Sequence, residues 1–241
     1  MLIHDTPRLT VNDVHLWKLN LDHPSRMPSA QAILSTAERA RAARFHFDHD
    51  RRRFIVAHCA LRIILGNYLG ISPSQVQFHY GDAGKPALDS NVHSSSITFN
   101  LSHSHELALV AVTLERRIGV DVERVHPLDD AARLVTHYFS PQEQTAFFAL
   151  PENLKTEAFF NCWTRKEAFI KALGSGLSHP LDQFDVSLRP GEPPKFLRIG
   201  SNLQDIARWS LYHLEPAANY IGALVVEGIG LNLSQRELVV S

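Results

Sequence analysis

The sequence repeats itself once at long range, and that limits its fold more than any other feature. Tyr68-Leu69-Gly70-Ile71-Ser72, then Val76-Gln77-Phe78, is echoed by Ala172-Leu173-Gly174-Ser175-Gly176, then Phe184-Asp185-Val186. The hairpin pattern of Ile97 to Val112 returns in Trp209 to Val226. The spacing is roughly 105 to 115 residues, far longer than a solenoid unit, so it points to duplication of one small domain. The identity is weak, and α+β patterning shared by unrelated segments also produces part of such an echo. The expectation is an α+β pseudo-dimer of two similar lobes, residues 1–115 and 116–241, each with a small, mostly antiparallel sheet and packed helices. A cleft between two such lobes is a preferred ligand site. With the pairing already inside one chain, a monomer is expected.

Hydropathy fills in the elements. Val14 to Leu19 predicts a first strand, and Ser35 opens an arginine-bearing helix. Phe54, Ala57, Leu61, Ile64 and Leu65 recur at helical spacing in a second helix, from about Arg51 to Leu69. Val76 to Tyr80 predicts a strand and Gly81-Asp82-Ala83-Gly84 a turn. Strands follow at Ile97 to Leu101, Leu107 to Leu114 and Ile118 to Arg124, then helices at Asp129 to Tyr138, Pro141 to Leu150 and Leu154 to Leu173. Strands return at Phe184 to Leu188, Trp209 to Leu214 and Ile221 to Val226. The tail from Gly228 to Ser241 carries no functional signal.

Composition narrows the class. At 241 residues and 44% hydrophobic content, the chain can bury a sizeable core. A formal charge of -1 and a pI near 6.9 argue against a nucleic-acid or membrane-surface binder. No run approaches the ~20 apolar residues of a membrane span, and Met1 to Arg8 has no basic-then-apolar leader pattern. Cys59 and Cys162 are the only cysteines and form no CxxC pair. They read as reduced core thiols of a cytoplasmic protein.

The chemistry begins in Ile118-Gly119-Val120-Asp121-Val122-Glu123. Strand alternation turns Ile118, Val120 and Val122 to the core and puts Gly119, Asp121 and Glu123 on the other face. Two carboxylates on adjacent same-face positions repel unless a positive charge joins them, and a hard divalent cation fits that need. A lone DxE is more often a solvated strand face. Downstream, Glu167 and Lys171 lie one turn apart beside the apolar stripe of Phe159, Cys162, Trp163, Ile170 and Leu173. They read either as a surface ion pair or as a third metal ligand or base beside a phosphate-binding ammonium. Lys166 falls inside the apolar stripe, with its head either snorkelling or held by a partner the sequence does not reveal.

Gly84-Lys85-Pro86 presents one cation on a stiffened backbone. Ser102 and His103 stand at a strand end where hydroxyl and imidazole suit a phosphate, although His103 is one of 14 histidines. Arg39, Arg41, Arg44 and Arg51 to Arg53 form basic clusters of the kind that is usually just solvated. P-loop, dinucleotide, GxSxG and HExxH patterns are absent.

Taken in order, the strings Gly84-Lys85-Pro86, Phe99-Asn100-Leu101-Ser102-His103-Ser104, Gly119-Val120-Asp121-Val122-Glu123, Phe139-Ser140-Pro141-Gln142-Glu143 and Trp163 to Lys171 are far more specific than any one alone. The chain from about Ser35 to Leu188 resembles the surfactin-type (Sfp-type) 4′-phosphopantetheinyl transferases, the longer two-lobed class. The resemblance implies transfer of 4′-phosphopantetheine from coenzyme A, the co-substrate, to a serine of an apo acyl, peptidyl or polyketide carrier protein, with coenzyme A at the lobe interface. It implies that Asp121, Glu123 and Glu167 hold Mg2+, with Mn2+ as a substitute, against the diphosphate, and that Lys171 reaches the same phosphates. It further assigns Gly84, Lys85, Pro86, Ser102 and His103 to the nucleotide part, and Arg41 and Arg53 to phosphate. Some relatives carry lysines in the first helix where this chain has Glu38 among arginines. Glu143 matches an acidic position near the metal.

On this reading Glu167 takes the serine proton, directly or through a water, and the carrier docks near Phe147 and Leu154. Two rival readings are a noncatalytic coenzyme A binder and a magnesium-dependent nucleotide hydrolase. The acidic trio argues against the first, and the Ser102-His103 and Trp163-to-Lys171 strings argue against the second.

Overall fold

The structure is a computed structural model that describes residues 8–22, 29–81, 84–175, 180–200 and 203–238. Asp82 and Ala83 of the predicted turn, Gly176 of the echo, and residues 1–7 and 239–241 at the two ends lie outside the described residues.

The chain divides into two compact units. The first comprises Met1–His79, Pro86–Glu115 and Asn232–Ser241. The second comprises Tyr80–Lys85 and Arg116–Leu231. The elements of the first are strand β1 (Asp13–Asn20), helices α1 (Ala30–Ile33), α2 (Thr36–Ala42) and α3 (Asp48–Leu69), then strands β2 (Phe78–Tyr80, whose last residue falls in the second unit), β3 (Pro86–Leu88), β4 (Ile97–Ser104) and β5 (Leu107–Leu114). The second repeats that order: β6 (Ile118–Arg124), α4 (Ala131–Tyr138), α5 (Pro141–Phe148), α6 (Glu152–Leu173), β7 (Phe184–Val186), β8 (Phe196–Ile199), β9 (Trp209–Leu214) and β10 (Tyr220–Glu227). A last strand, β11 (Asn232–Glu237), belongs to the first unit. The repeat legible in the sequence is therefore a repeat of topology.

The sheets follow the same plan. In the second unit the strand order is β6-β10-β9, all antiparallel, and the first has β1-β5-β4 with β11 added at the edge. β11 pairs parallel with β1, from Asp13 opposite Asn232 to Lys18 opposite Glu237. The tail, silent about function, thus completes a sheet. Its polar Asn232-Leu233-Ser234-Gln235-Arg236-Glu237 suits a strand that covers an edge rather than a core.

One long helix packs on each sheet, and each spans 22 residues. Both end at a glycine in the left-handed region, Gly70 (φ 67°) and Gly174 (φ 74°), where other residues would be strained. Leu61, Ile64 and Leu65 of α3 are fully buried with Val110 and Val112 of β5. Burial of each such side chain contributes about 2 kcal/mol. In the second unit Phe159, Phe169 and Ile170 of α6 share a core with Ile221, Ala223 and Val225 of β10.

Each unit also carries the same buried ion pair. Ser35 and Glu38 form a capping box on α2, and Ser140 and Glu143 form one on α5. Glu38 meets Arg62 of α3 at 2.8 Å, and Glu143 meets Lys166 of α6 at 2.8 Å. Each cation then donates to the backbone just beyond its helix. Arg62 reaches Pro73 O and Val76 O (3.2 and 2.7 Å), while Lys166 reaches Leu181 O and Phe184 O (2.5 and 2.7 Å). Lys166 does not snorkel. It is wholly buried because its hydrogen-bonding needs are met inside. Burial opposes the Glu38 carboxylate, yet hydrogen bonds from His58, Arg62 and Ser35 outweigh it and hold the group at about 2. Burial pushes the Glu143 carboxyl up, against the pull of Lys166.

Candidate active site

The site grows from one missing side chain. A Cβ on Gly119 would lie 2.1 Å from Ala168 O and 2.4 Å from Ala172 N, so α6 rests its backbone directly on β6. No residue but glycine permits that approach. The strand face that meets the helix is Gly119, Asp121 and Glu123, opposite Val225, Ala223 and Ile221 of β10. It is not a solvated face, since Asp121 is only 3% exposed. Ile118, Val120 and Val122 on the other face are fully buried, as alternation requires.

Contact between α6 and β6 brings four charged groups into one neighbourhood. Lys171 Nζ stands 2.6 Å from Asp121 Oδ1. Glu167, one turn earlier, has its Oε1 buried with no hydrogen-bond partner among the described residues. Burial pushes the Glu167 carboxyl up to about 7; Asp121 adds to the rise, Lys171 opposes it and Glu123 adds again. A carboxylate so placed is stabilised by any cation that reaches it.

Lys85 holds the end of this arrangement. Its ammonium donates to Ile118 O at 2.8 Å and to Lys171 O at 2.6 Å, joining the first residue of β6 to the last turn of α6. Burial, with Lys171 nearby, lowers its pKa to about 8. Sequence reasoning expected Lys85 to face a nucleotide and missed this backbone clamp, which depends on two carbonyls distant in the chain. Gly84 precedes it at φ 75°.

The donor set suits a hard divalent cation: oxygen ligands, a local excess of negative charge and a buried carboxylate oxygen without a hydrogen bond. As the side chains stand, no three His, Cys, Asp or Glu groups among the described residues form a metal cluster. The ammonium of Lys171 lies on Asp121 instead.

Arg41, Arg53, Pro86, Ser102 and His103 belong to the first unit. Arg53 makes a two-pronged pair with Asp22 (2.9 and 2.7 Å), and Arg41 lies over the Phe54 ring at 5.4 Å. Ser102 is buried and His103 exposed, on β4 opposite Leu109 and Ala108. Pro86 begins β3. Glu143 is part of the α5–α6 ion pair, with its oxygens accepting from Lys166 and from the Ser140 and Val186 amides. The Ser-x-x-Glu capping box at Ser140 is the sequence signal that could have revealed this role.

Comparison with known proteins identifies the relatives. Residues 117–225 match the 4′-phosphopantetheinyl transferase superfamily, and residues 22–115 match the family described as 4′-phosphopantetheinyl transferase, N-terminal. The 4′-phosphopantetheinyl transferase HetI of Nostoc sp. strain PCC 7120 is 43% identical over 93% of this chain and 92% of its own. A putative 4′-phosphopantetheinyl transferase of Synechocystis sp. strain PCC 6803, slr0495, is 38% identical over 70% and 68%. The 4′-phosphopantetheinyl transferase Sfp of Bacillus subtilis strain 168 is 29% identical over 65% and 67%. With both of its halves matched and such identity sustained along nearly its whole length, the chain belongs to the 4′-phosphopantetheinyl transferase superfamily and is of the Sfp type.

Proposed function

We propose that this transferase moves the 4′-phosphopantetheine group of coenzyme A to a serine of an apo acyl, peptidyl or polyketide carrier protein, releasing adenosine 3′,5′-bisphosphate. The observation that carries the reading is the meeting of Asp121, Glu167 and Lys171 where α6 lies on β6. Carboxylates and an ammonium side by side suit a diphosphate bound with a divalent cation.

In this proposal Asp121, Glu123 and Glu167 hold magnesium, with manganese as a substitute. When bound, the ion neutralises diphosphate charge and polarises the phosphorus under attack. The residues of the chain do the rest. Lys171 binds a phosphate oxygen and offsets charge that grows on the leaving group. Glu167 accepts the serine proton directly or through a water, from its place one turn before Lys171 on α6. Lys85 and Gly119 keep α6 seated on β6 and so fix these groups relative to one another. Arg41, Arg53, Ser102 and His103 are proposed contacts of the nucleotide portion, and the working form is proposed to be a cytoplasmic monomer.

The test is direct. Mixing the protein with coenzyme A, Mg2+ and an apo carrier protein should add one phosphopantetheine to the carrier, read by mass spectrometry. Asp121→Ala should lower the rate at least ~100-fold, and Glu167→Gln by a similar factor. Coenzyme A binding without carrier modification would instead indicate a binding module, and its consumption without modification a hydrolase.

A further inference from the structure

In the structure Asp121 is neutralised by an ammonium of the chain itself. Lys171 Nζ sits 2.6 Å from Asp121 Oδ1, the distance of a strong charge-assisted contact. The two partners differ in freedom. The Asp121 side chain is 4% exposed and that of Lys171 is 29% exposed, so the lysine head has room to leave and the carboxylate has none. The lysine backbone is also held in place, because its carbonyl accepts from both Lys85 Nζ and Gly174 N. Any rearrangement is therefore confined to rotation of one flexible side chain about a fixed anchor, a small motion with no hinge.

We propose that Lys171 is an internal counter-ion that couples the binding of the divalent cation and the diphosphate, holding Asp121 until the diphosphate draws it away. A dication arriving alone must displace an ammonium that has no anion to receive it, leaving that ammonium beside a like charge. A diphosphate arriving alone can take Lys171 but leaves Asp121 and Glu167 uncompensated against a polyanion. Together the two ligands exchange partners: the ammonium passes to phosphate oxygen and the carboxylate passes to the cation. Charge balances only in the joint state, so each ligand strengthens the other by the same factor. This inference rests on the assignment of Asp121 and Glu167 to the metal. It predicts binding rather than turnover, so its failure is distinguishable from failure of the transferase reading.

The experiment is titration of the full chain with Mn2+, followed by the electron paramagnetic resonance of the free ion, without and with coenzyme A. In the native protein coenzyme A should tighten Mn2+ binding at least tenfold. Lys171→Met should tighten Mn2+ binding without coenzyme A about tenfold, and the further gain on adding coenzyme A should shrink. Arg117→Gln removes a cation next to β6 that pairs with Glu227 rather than with Asp121, so it should change Mn2+ affinity less than threefold. Unchanged or weaker Mn2+ binding by Lys171→Met overturns the proposal. Equal tightening by Arg117→Gln does so too, since any nearby positive charge would then account for the effect. A third readout needs no variant. The 15N resonance of the Lys171 ammonium in the native protein should shift strongly with Mg2+ and coenzyme A together and little with Mg2+ alone, and an equal shift with Mg2+ alone also overturns the coupling.

Discussion

The two units put the same construction, one long helix across one sheet, to opposite uses. In the second unit Gly119 lets α6 settle backbone-first onto β6, and Asp121, Glu123, Glu167 and Lys171 occupy the seam. In the first unit the matching face of β1 carries His15, Trp17 and Leu19 beneath α3. There the hydroxyl of Tyr68 on α3 meets His15 Nδ1 at 2.6 Å and accepts from Trp17 Nε1 at 3.0 Å. Large rings fill the space that charge occupies in the other copy. In both units the helix-on-sheet contact is kept by shared topology and by a matching buried ion pair. Whether it becomes a core or a site is decided by the few side chains between helix and strand.

The comparison can be broken most severely at the element both copies share. Glu143→Gln leaves Lys166 buried opposite a neutral amide, and Glu38→Gln does the same to Arg62. Each should cost about 3–5 kcal/mol in denaturant unfolding, in line with other broken buried pairs. A marked difference between the two would show that the units do not depend on the pair alike. Glu38 adds a pH dependence of defined sign. Its folded value of about 2 lies below the usual 4.5, so its contribution is complete above pH 4.5 and is lost as pH falls from there toward 2. Glu38→Gln should flatten that part of the stability profile.

The next test goes to the feature that separates the copies. Gly119→Ala drives a Cβ into the α6 backbone, which should cost about 3 kcal/mol by urea unfolding and lower transfer to the carrier more than tenfold. If α6 tolerated alanine there, direct backbone seating would not be what separates the charged seam of the second unit from the ring-filled one of the first. Tyr68→Phe, its counterpart in the first unit, removes one hydroxyl serving two partners and should cost about 1–2 kcal/mol. Its effect on Mn2+ binding should be negligible. Smallest of all, Lys18→Ala breaks the exposed pair with Glu237 between β1 and β11 and should change stability by less than ~0.5 kcal/mol. A larger loss would mean that β11 is held by that pair rather than by its backbone ladder.

Much of this architecture can be read from local pattern. Leu107–Leu114, Ile118–Arg124 and Trp209–Leu214 have the bounds that their apolar runs predict. The long helices start earlier than their apolar periodicity suggests, at Asp48 and Glu152, because their first turns are mostly polar. β11 was not legible, since an edge strand with polar alternation looks like a tail until the partner it pairs with is known. The burial of Lys166 was equally hidden, because its carboxylate and carbonyl partners come from separate stretches of chain.

Within the site the division is the same. The sequence by itself determined the repeat, the family resemblance, and the two elements that carry Asp121, Glu123, Glu167 and Lys171, because periodicity and short motifs are properties of neighbouring residues. Only the tertiary structure decided that α6 lies on the glycine face of β6, that Lys85 clamps the two together and that Lys171 rests on Asp121. Such contacts join residues 33 to 86 positions apart. They are set by how closely backbones can approach and by which charges must be neutralised once water is gone.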